Sequence, residues 1–525
     1  MDPKKSGDVV FETIPEPAGP SPLGGVQPVA EEIDLSAVDE TPTPPTPVTQ
    51  TTTITTETAE PATLAGPSPL SGAQPEPIDT TFDLEDPHEG SNKTKIFLII
   101  GAVVFFIIMF FILFKVITSF TGGKSDSSSK EVTLTYWGLW EDKTTIDPLI
   151  AEYKKKNPKV TIKYEKKDPQ SYREKLLARS KDGNGPDIFR FHNTWLPTIK
   201  DVVAPVPSAV MTATEYESTF YPITKTDLKV GDQYYGIPLE IDGLVLLYNT
   251  DLFKQAGIAV GPKSWDDITA YSSKLTVVGP SGIVTSGIAL GSATNIEHFS
   301  EILGLMLLQN GASLSDLTTT EAVEMLAAYR RFAQQPDGRW DENMPNSISA
   351  FIQGKVAMIF VPSWQILAIK KAAPDLHFKV TTFPVVPGQK QITLASYWVE
   401  GVSKYKPAAN QTEAWKFLKF LSQKESLTKL YENASKTRLF GEPYSRVDMR
   451  PLLEQDPYVG AVVQQAAFMQ SMPVVSRTFD NGLNDAIVQY LKNAVNDTGK
   501  GVIDSEAFGT ANQGIQEVLK RFDIK

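Results

Sequence analysis

EVTLTYWGLWEDKTTIDPLIAEYKKKNPKVTIKYEKK, Glu131–Lys167, decides the fold class. EVTLTYW alternates apolar and polar residues at period two and reads as a strand. Ile146, Leu149, Ile150 and Tyr153 then fall at i, i+3, i+4 and i+7, one face of a helix that Asn157-Pro158 ends. KVTIKYEKK is a second strand, DPQSYREKLLARS a second helix, and PDIFRF a third strand after the turn KDGNGP. Strands alternating with helices imply a mostly parallel sheet, whose ligands sit outside the carboxyl ends of the strands. Two aromatic-rich loops meet at that edge: WGLWED after strand one and FHNTW, Phe191–Trp195, after strand three. Trp137, at the strand end, belongs to the core, whereas Trp140, Glu141, Asn193 and Trp195 are candidates for a binding cleft.

Outward from this segment the chain changes character. Its 525 residues exceed one hydrophobic core and call for at least two folded units. Between Met1 and Asn92 there are 17 acidic and 2 basic residues, a net of −15 against −12 for the whole chain, so the remainder is about +3. The acidity therefore belongs to the tail and says little about the ligand. That tail, 1–94, is rich in Pro, Thr, Glu and Ala and is expected to be disordered. Its near-repeat, AGPSPLGGVQP from Ala18 and AGPSPLSGAQP from Ala65, reads as duplicated spacer or as a short partner-binding motif.

An uninterrupted apolar run of 19 residues follows, Ile96–Phe114. At about 1.5 Å per residue it reaches roughly 29 Å, the thickness of a bilayer's hydrocarbon core. We expect a single-pass transmembrane helix over 95–120 rather than a secretory signal peptide, which would be shorter and followed by small residues. Flanking lysines lie on both sides, so charge alone gives no orientation. Residues 121–130, TGGKSDSSSK, read as a short flexible stalk. The chain has no cysteine, which excludes a disulfide framework, a thiol nucleophile and a cysteine-ligated metal. Its four histidines, His88, His192, His298 and His377, are scattered, and no metal site, cofactor or nucleic-acid partner is expected.

The chain from Val132 to Lys525 resembles the extracellular solute-binding proteins of ABC importers, in particular the sugar binders that include maltose-binding protein. The resemblance rests on VTLTYWGLWED with the helix ending KKKNPKV, on GPDIFRFH, on YGIPLEIDGLVLLYNTDLFKQAGI with PKSWDDI, on FIQGKVAMIFVPSW, and on EAWKFLKFLSQKESLTKLYE, in that order. It implies an α/β, two-lobed periplasmic-binding-protein-like fold with hinge strands, lobe 1 from 131–245 and 389–440, lobe 2 from 246–388 and 441–525. GIPLEIDGLVLLYN is the first crossing strand, with Asp242 the cleft acid, and Trp364, beyond the strand of FIQGKVAMIFVPSW, projects into the cleft from lobe 2. TTFPVVPG, Thr381–Gly388, is expected to be the return crossing. SYWVEGVSK departs from the family's Gly-rich stretch, and Tyr397 and Trp398 fill that place. TRLFGEP departs from the usual compact turn, and Arg438 is expected to face solvent. Trp415, Leu418 and Leu421 mark an amphipathic structural helix.

Aromatic rings and acids together suit a saccharide, whose C–H patches meet ring faces while its hydroxyls meet carboxylates. Covering half of a tryptophan's ~200 Å² contributes roughly 2–3 kcal/mol. The resemblance thus implies a membrane-anchored, extracytoplasmic receptor with its tail in the cytoplasm, tied to the lipid bilayer through 96–114. It would bind a mono- or oligosaccharide and deliver it to an ABC transporter permease, performing no catalysis. Alternatives are a polyamine receptor using Glu141, Glu240 and Asp242, and a signalling or adhesion ectodomain. Arg190 and Lys143 are the only cations read near the cleft. The chain contains no HExxH, GxSxG, Walker A or dinucleotide fingerprint, which leaves a glycoside hydrolase least favoured.

Overall fold

Strand β1 (Val132–Gly138), helix α1 (Lys143–Lys156), strand β2 (Val160–Lys166), helix α2 (Tyr172–Lys181) and strand β3 (Ile188–His192) follow one another as the alternation requires. The computed structural model describes residues 131–336, 338–386 and 388–524. The expected tail, membrane segment and stalk lie outside them, and among the described residues no helix is long and apolar enough to cross a membrane. β2, β1 and β3 pair in parallel, with Val132 opposite Val160 and Tyr136 opposite Ile188. Leu134 and Tyr136 point inward from β1, and Ile146, Leu149 and Tyr153 from α1. Period two on the strand and period 3.6 on the helix therefore meet in one core.

Two later strands complete this sheet. The later strands of the two main sheets are, in chain order, β4 (Ile237–Pro238), β5 (Leu244–Asn249), β6 (Met358–Pro362), β7 (Phe378–Thr381) and β8 (Trp398–Val402). The first sheet runs β2-β1-β3-β8-β4, with β8 antiparallel to both neighbours. The second sheet runs β6-β5-β7, all antiparallel. Between β4 and β5 only five residues intervene, so Leu239–Gly243 carries the chain directly from one sheet to the other. Leu244, Val245, Leu246 and Leu247 are buried on both faces, the pattern of a central strand. The result is a two-lobed α/β fold.

The return crossing lies later than Thr381–Gly388. Phe383 stacks on Phe360 at 4.4 Å and meets Trp265 edge-on at 5.6 Å, and Val385 bridges Ser264, which keeps this segment in lobe 2. The chain crosses instead at Ala395, which bridges Gly243, just after Thr393–Leu394 pairs with Met469–Gln470. A Cβ on Gly243 would lie 2.2 Å from the Leu394 carbonyl oxygen, so the two crossing segments approach as only glycine allows. A further strand-like contact joins Ile241 to Pro443 and Glu240 to Tyr444.

Helices close each lobe. α3 (Ala408–Leu421) buries Trp415, Leu418 and Leu421 against β1 and β8, as the spacing predicts, and α4 (Lys424–Ser435) packs on α1. In lobe 2, α5 (Leu483–Gly499) and α6 (Asp504–Arg521) pack on each other and on the helix Thr320–Arg330. The amino end of α5 and the 475–481 loop before it face lobe 1.

Candidate functional site

A cavity of about 310 Å³ opens where the crossing segments meet, and its wall comes from both lobes. Lobe 1 supplies Trp140, from the loop after β1, and Trp398, the first residue of β8. Lobe 2 supplies Trp364, just past β6, and Phe479 of the 475–481 loop. Trp140 lies edge-on to Trp398 at 5.6 Å and 6.4 Å from Phe479, so rings from opposite lobes meet. Trp140 and Trp364 each remain 37% exposed, ring surface that a ligand can cover. A larger, open cavity of about 600 Å³ beside Trp265 and Phe332 is walled by lobe 2 alone, so lobe closure cannot act on it.

Asp242 sits at the first crossing and organises the floor. Its Oδ1 accepts from Gly243 N at 2.7 Å and Ser363 N at 3.2 Å, and its Oδ2 from Trp364 N at 3.3 Å. The acid thereby fixes the turn that presents Trp364. Burial pushes its carboxyl up to about 7, against the downward pull of these N–H donors. Glu240 accepts from Trp398 N at 3.2 Å, and burial, reinforced by Glu442, drives its carboxyl well above the usual range. His192 contacts Thr194 Oγ1 through Nδ1 at 2.9 Å and Ser396 Oγ through Nε2 at 3.3 Å. Burial lowers it to about 3, so the ring is neutral at pH 7.

Trp140, Asp242, Trp364 and Trp398 are thus brought together on the cavity wall. Glu141, Asn193, Trp195 and Tyr397 lie behind it. Glu141 turns under the sheet edge, where Arg190 Nη1 reaches both its oxygens at 2.6 Å and Arg190 Nε donates to Glu400 at 2.7 Å. Burial works to raise the Glu141 carboxyl, but Arg190 brings it below its ordinary value. Asn193 is buried, donating to Asp227 at 3.0 Å and Ser471 at 2.9 Å while accepting from Tyr397 N. The Tyr397 hydroxyl donates to the same Asp227 at 2.9 Å. Trp195 stands edge-on behind Trp398 at 5.4 Å. Trp398 pairs with His192 across β8 and β3, so Tyr397 and Asn193, one residue beyond each strand end, fall on the opposite side of the pleat.

Other groups on the wall were missed. Arg438 does not face solvent: it lines the cavity and pairs with Glu442 at 2.6 Å. Arg477 reaches the cavity from lobe 2 and pairs with Glu297 through Nε. Arg477, Phe479 and Asn481 have φ of 58, 55 and 43°, left-handed backbone that only the Asn481-Gly482 turn signal hints at in sequence. Among the described residues, Glu141, Glu240 and Glu442 bring carboxylate oxygens within 4.8 Å of one another, but Arg190 and Arg438 already contact this group. They form an ion-pair network that runs from Glu240, Arg438 and Glu442 on the cavity wall to Glu141 and Arg190 behind it.

The lobes are held together around the cavity. Arg173 Nη1 of α2 donates to Asp480 O at 2.7 Å, and Asn484 Nδ2 of α5 donates to Thr194 Oγ1 at 2.7 Å. The arrangement is a closed cleft.

Comparison with known proteins agrees with this architecture. Residues 148–438 match the family described as bacterial extracellular solute-binding protein. The sn-glycerol-3-phosphate-binding periplasmic protein of Escherichia coli (strain K12) is 24% identical over 425 residues, covering 74% of this chain and 93% of that one. A cyclo/maltodextrin-binding protein solved with maltotetraose superposes with a TM-score of 0.62 at 18% identity, over 75% of this chain and 99% of the other. The sugar-binding protein of Xanthomonas citri gives 0.61 at 19%, over 74% and 98%.

Proposed function

Because this chain belongs to the bacterial extracellular solute-binding proteins, which are not enzymes, we propose that it is an extracytoplasmic receptor that closes its two lobes on a saccharide. It would hand that saccharide to an ABC-type permease, held at the bilayer by the apolar run Ile96–Phe114. The observation that carries the reading is the cavity at the lobe junction, walled by Trp140 and Trp398 from one lobe and Trp364 and Phe479 from the other. Ring faces from both sides suit the C–H faces of a sugar, while Asp242, Glu240 and Ser396 offer hydrogen bonds to hydroxyls. The names of the relatives, binders of maltodextrin and of glycerol phosphate, support a polyhydroxylated ligand.

A ligand that touches both walls makes contacts only the closed form offers and shifts the population toward it by that differential affinity. A polyamine fits less well, since it needs ionised acids and burial pushes Glu240 and Asp242 toward the neutral form. The test is tryptophan fluorescence and thermal melting of the full chain in detergent against mono- and oligosaccharides, with spermidine and glycerol phosphate alongside. A saturable spectral shift with a raised melting temperature for a sugar group supports the reading. A response to spermidine alone overturns it.

A further inference from the structure

Resting on that saccharide reading, we propose that the sugar carries an anionic group, a carboxylate or a phosphate, held between Arg438 of lobe 1 and Arg477 of lobe 2. Both guanidiniums line the cavity, and each uses only one nitrogen on a protein carboxylate: Arg438 Nη2 on Glu442, Arg477 Nε on Glu297. Among the described residues no hydrogen bond reaches Arg477 Nη1 or Nη2, and Arg438 Nε is buried without a partner. A guanidinium is a fork of five donors shaped for bidentate pairing with carboxylate or phosphate, and here most of the fork is uncommitted. Arg477 Nη1 and Nη2 thus offer free donors from the lobe 2 wall of the cavity, with the Arg438 guanidinium on its lobe 1 wall.

The backbone around Arg477 gives a second, independent observation. Arg477 and Phe479 both adopt left-handed φ, a conformation non-glycine residues sustain only when their surroundings impose it. The loop is pinned on both flanks: Val475 N donates to Asn484 Oδ1 and Ser476 N to Glu301 Oε1, while the Asp480 side chain accepts from Gly482 N, Asn484 N, Asp485 N and Asn484 Nδ2 and its carbonyl takes Arg173. The strained loop sends Phe479 and Arg477 to the cavity together, a ring for the sugar face beside a cation for its charge.

The remaining wall does not oppose an anion. Glu442 is already paired with Arg438, His192 is neutral, and burial moves Glu240 and Asp242 toward their protonated forms, which donate rather than repel. An anion bridging Arg438 and Arg477 would also tie one lobe to the other, a contact absent from any open form. The charge on the ligand thus doubles as the closing force.

The experiment is calorimetric titration of the full chain in detergent at ~0.15 M salt, with three matched probes: uronate-containing oligosaccharides, hexose phosphates, and neutral oligosaccharides of equal length. The acidic probes should bind at least tenfold more tightly than the neutral ones, and Arg477→Gln should weaken the acidic probe by about 10–100-fold, the value of a charged hydrogen bond or two, while changing the neutral one less than threefold. Binding of uronates alone or phosphates alone supports the proposal and names the source of the charge. Arg438→Gln, checked by melting temperature for its fold, should repeat the pattern. Neutral sugars binding as tightly as acidic ones overturns this inference and leaves the saccharide reading standing; no response to any sugar overturns both.

Discussion

Arg173→Met tests whether closure is a property of this structure's interlobe contacts. Arg173 Nη1 donates to Asp480 O across the cleft at 2.7 Å, both groups buried. Its Nε also donates to Thr198 Oγ1 at 3.2 Å, but that bond is inside lobe 1 and exists whether the lobes are open or closed, so it cancels. Methionine keeps an aliphatic stem and removes the donor. A hydrogen bond from a charged group contributes roughly 1.5–3 kcal/mol, and its loss from the closed form alone lowers the closed-to-open ratio by about 10–150-fold. When the open form predominates, ligand affinity falls by the same factor, since only the closed fraction holds ligand fully. Small-angle scattering of the ligand-free variant should show a larger radius of gyration, and calorimetry a correspondingly weaker saccharide complex. A folded variant with unchanged scattering and affinity within threefold of the parent would refute the argument that this bond belongs to the closed state.

Trp364→Ala removes a ring whose free face, 37% exposed, the ligand is to cover; the lost contact is roughly 2 kcal/mol by area, so saccharide affinity should fall about 30-fold while the melting temperature moves little, and the reverse pattern would mark the ring as core. Gly243→Ala places a methyl 2.2 Å from Leu394 O and should destabilise by about 1–3 kcal/mol, read by denaturant unfolding; parental stability would disprove the close approach. Asp242 ionises near 7 when folded against 3.8 for the free group. The folded chain therefore binds the extra proton between those values, and stability from this group falls as pH rises through that window. Asp242→Asn should flatten the fall, so that its melting temperature gains on the parent's between pH 5 and 8; parallel curves would contradict the shift.

The fold was legible wherever a residue's neighbours along the chain fix its direction. Alternation in EVTLTYW, the 146–153 helix face, and the apolar GLVLLYN run each specify an element and its buried side, and Trp140 and Trp364 follow because they stand just beyond strand ends. The Tyr397-Trp398 pair shows the limit. Both rings were placed in the cleft, but which one faces it depends on the pairing of β8 with β3, and in the structure only Trp398 does. Glu141 and Arg190 were read separately and turn out to neutralise each other under the sheet, a pairing across 49 positions that no local pattern reports. The return crossing was placed too early because Phe383 and Val385 are anchored by Trp265 and Ser264, more than a hundred residues upstream. Arg477 was invisible for a different reason: its direction comes from a left-handed backbone in a loop pinned by Glu301, Asn484 and Asp480.

The central claim is that one ligand is gripped by both lobes. Hydrogen–deuterium exchange of the full chain in detergent, with and without whichever saccharide of the panel raises its melting temperature, tests it most directly. Slowed exchange should appear together in the loop after β1 near Trp140, in the turn at Ser363–Trp364, at Ser396–Trp398 and in the 475–481 loop. Protection confined to one lobe, protection around Trp265 and Phe332 instead, or none with any saccharide would contradict it.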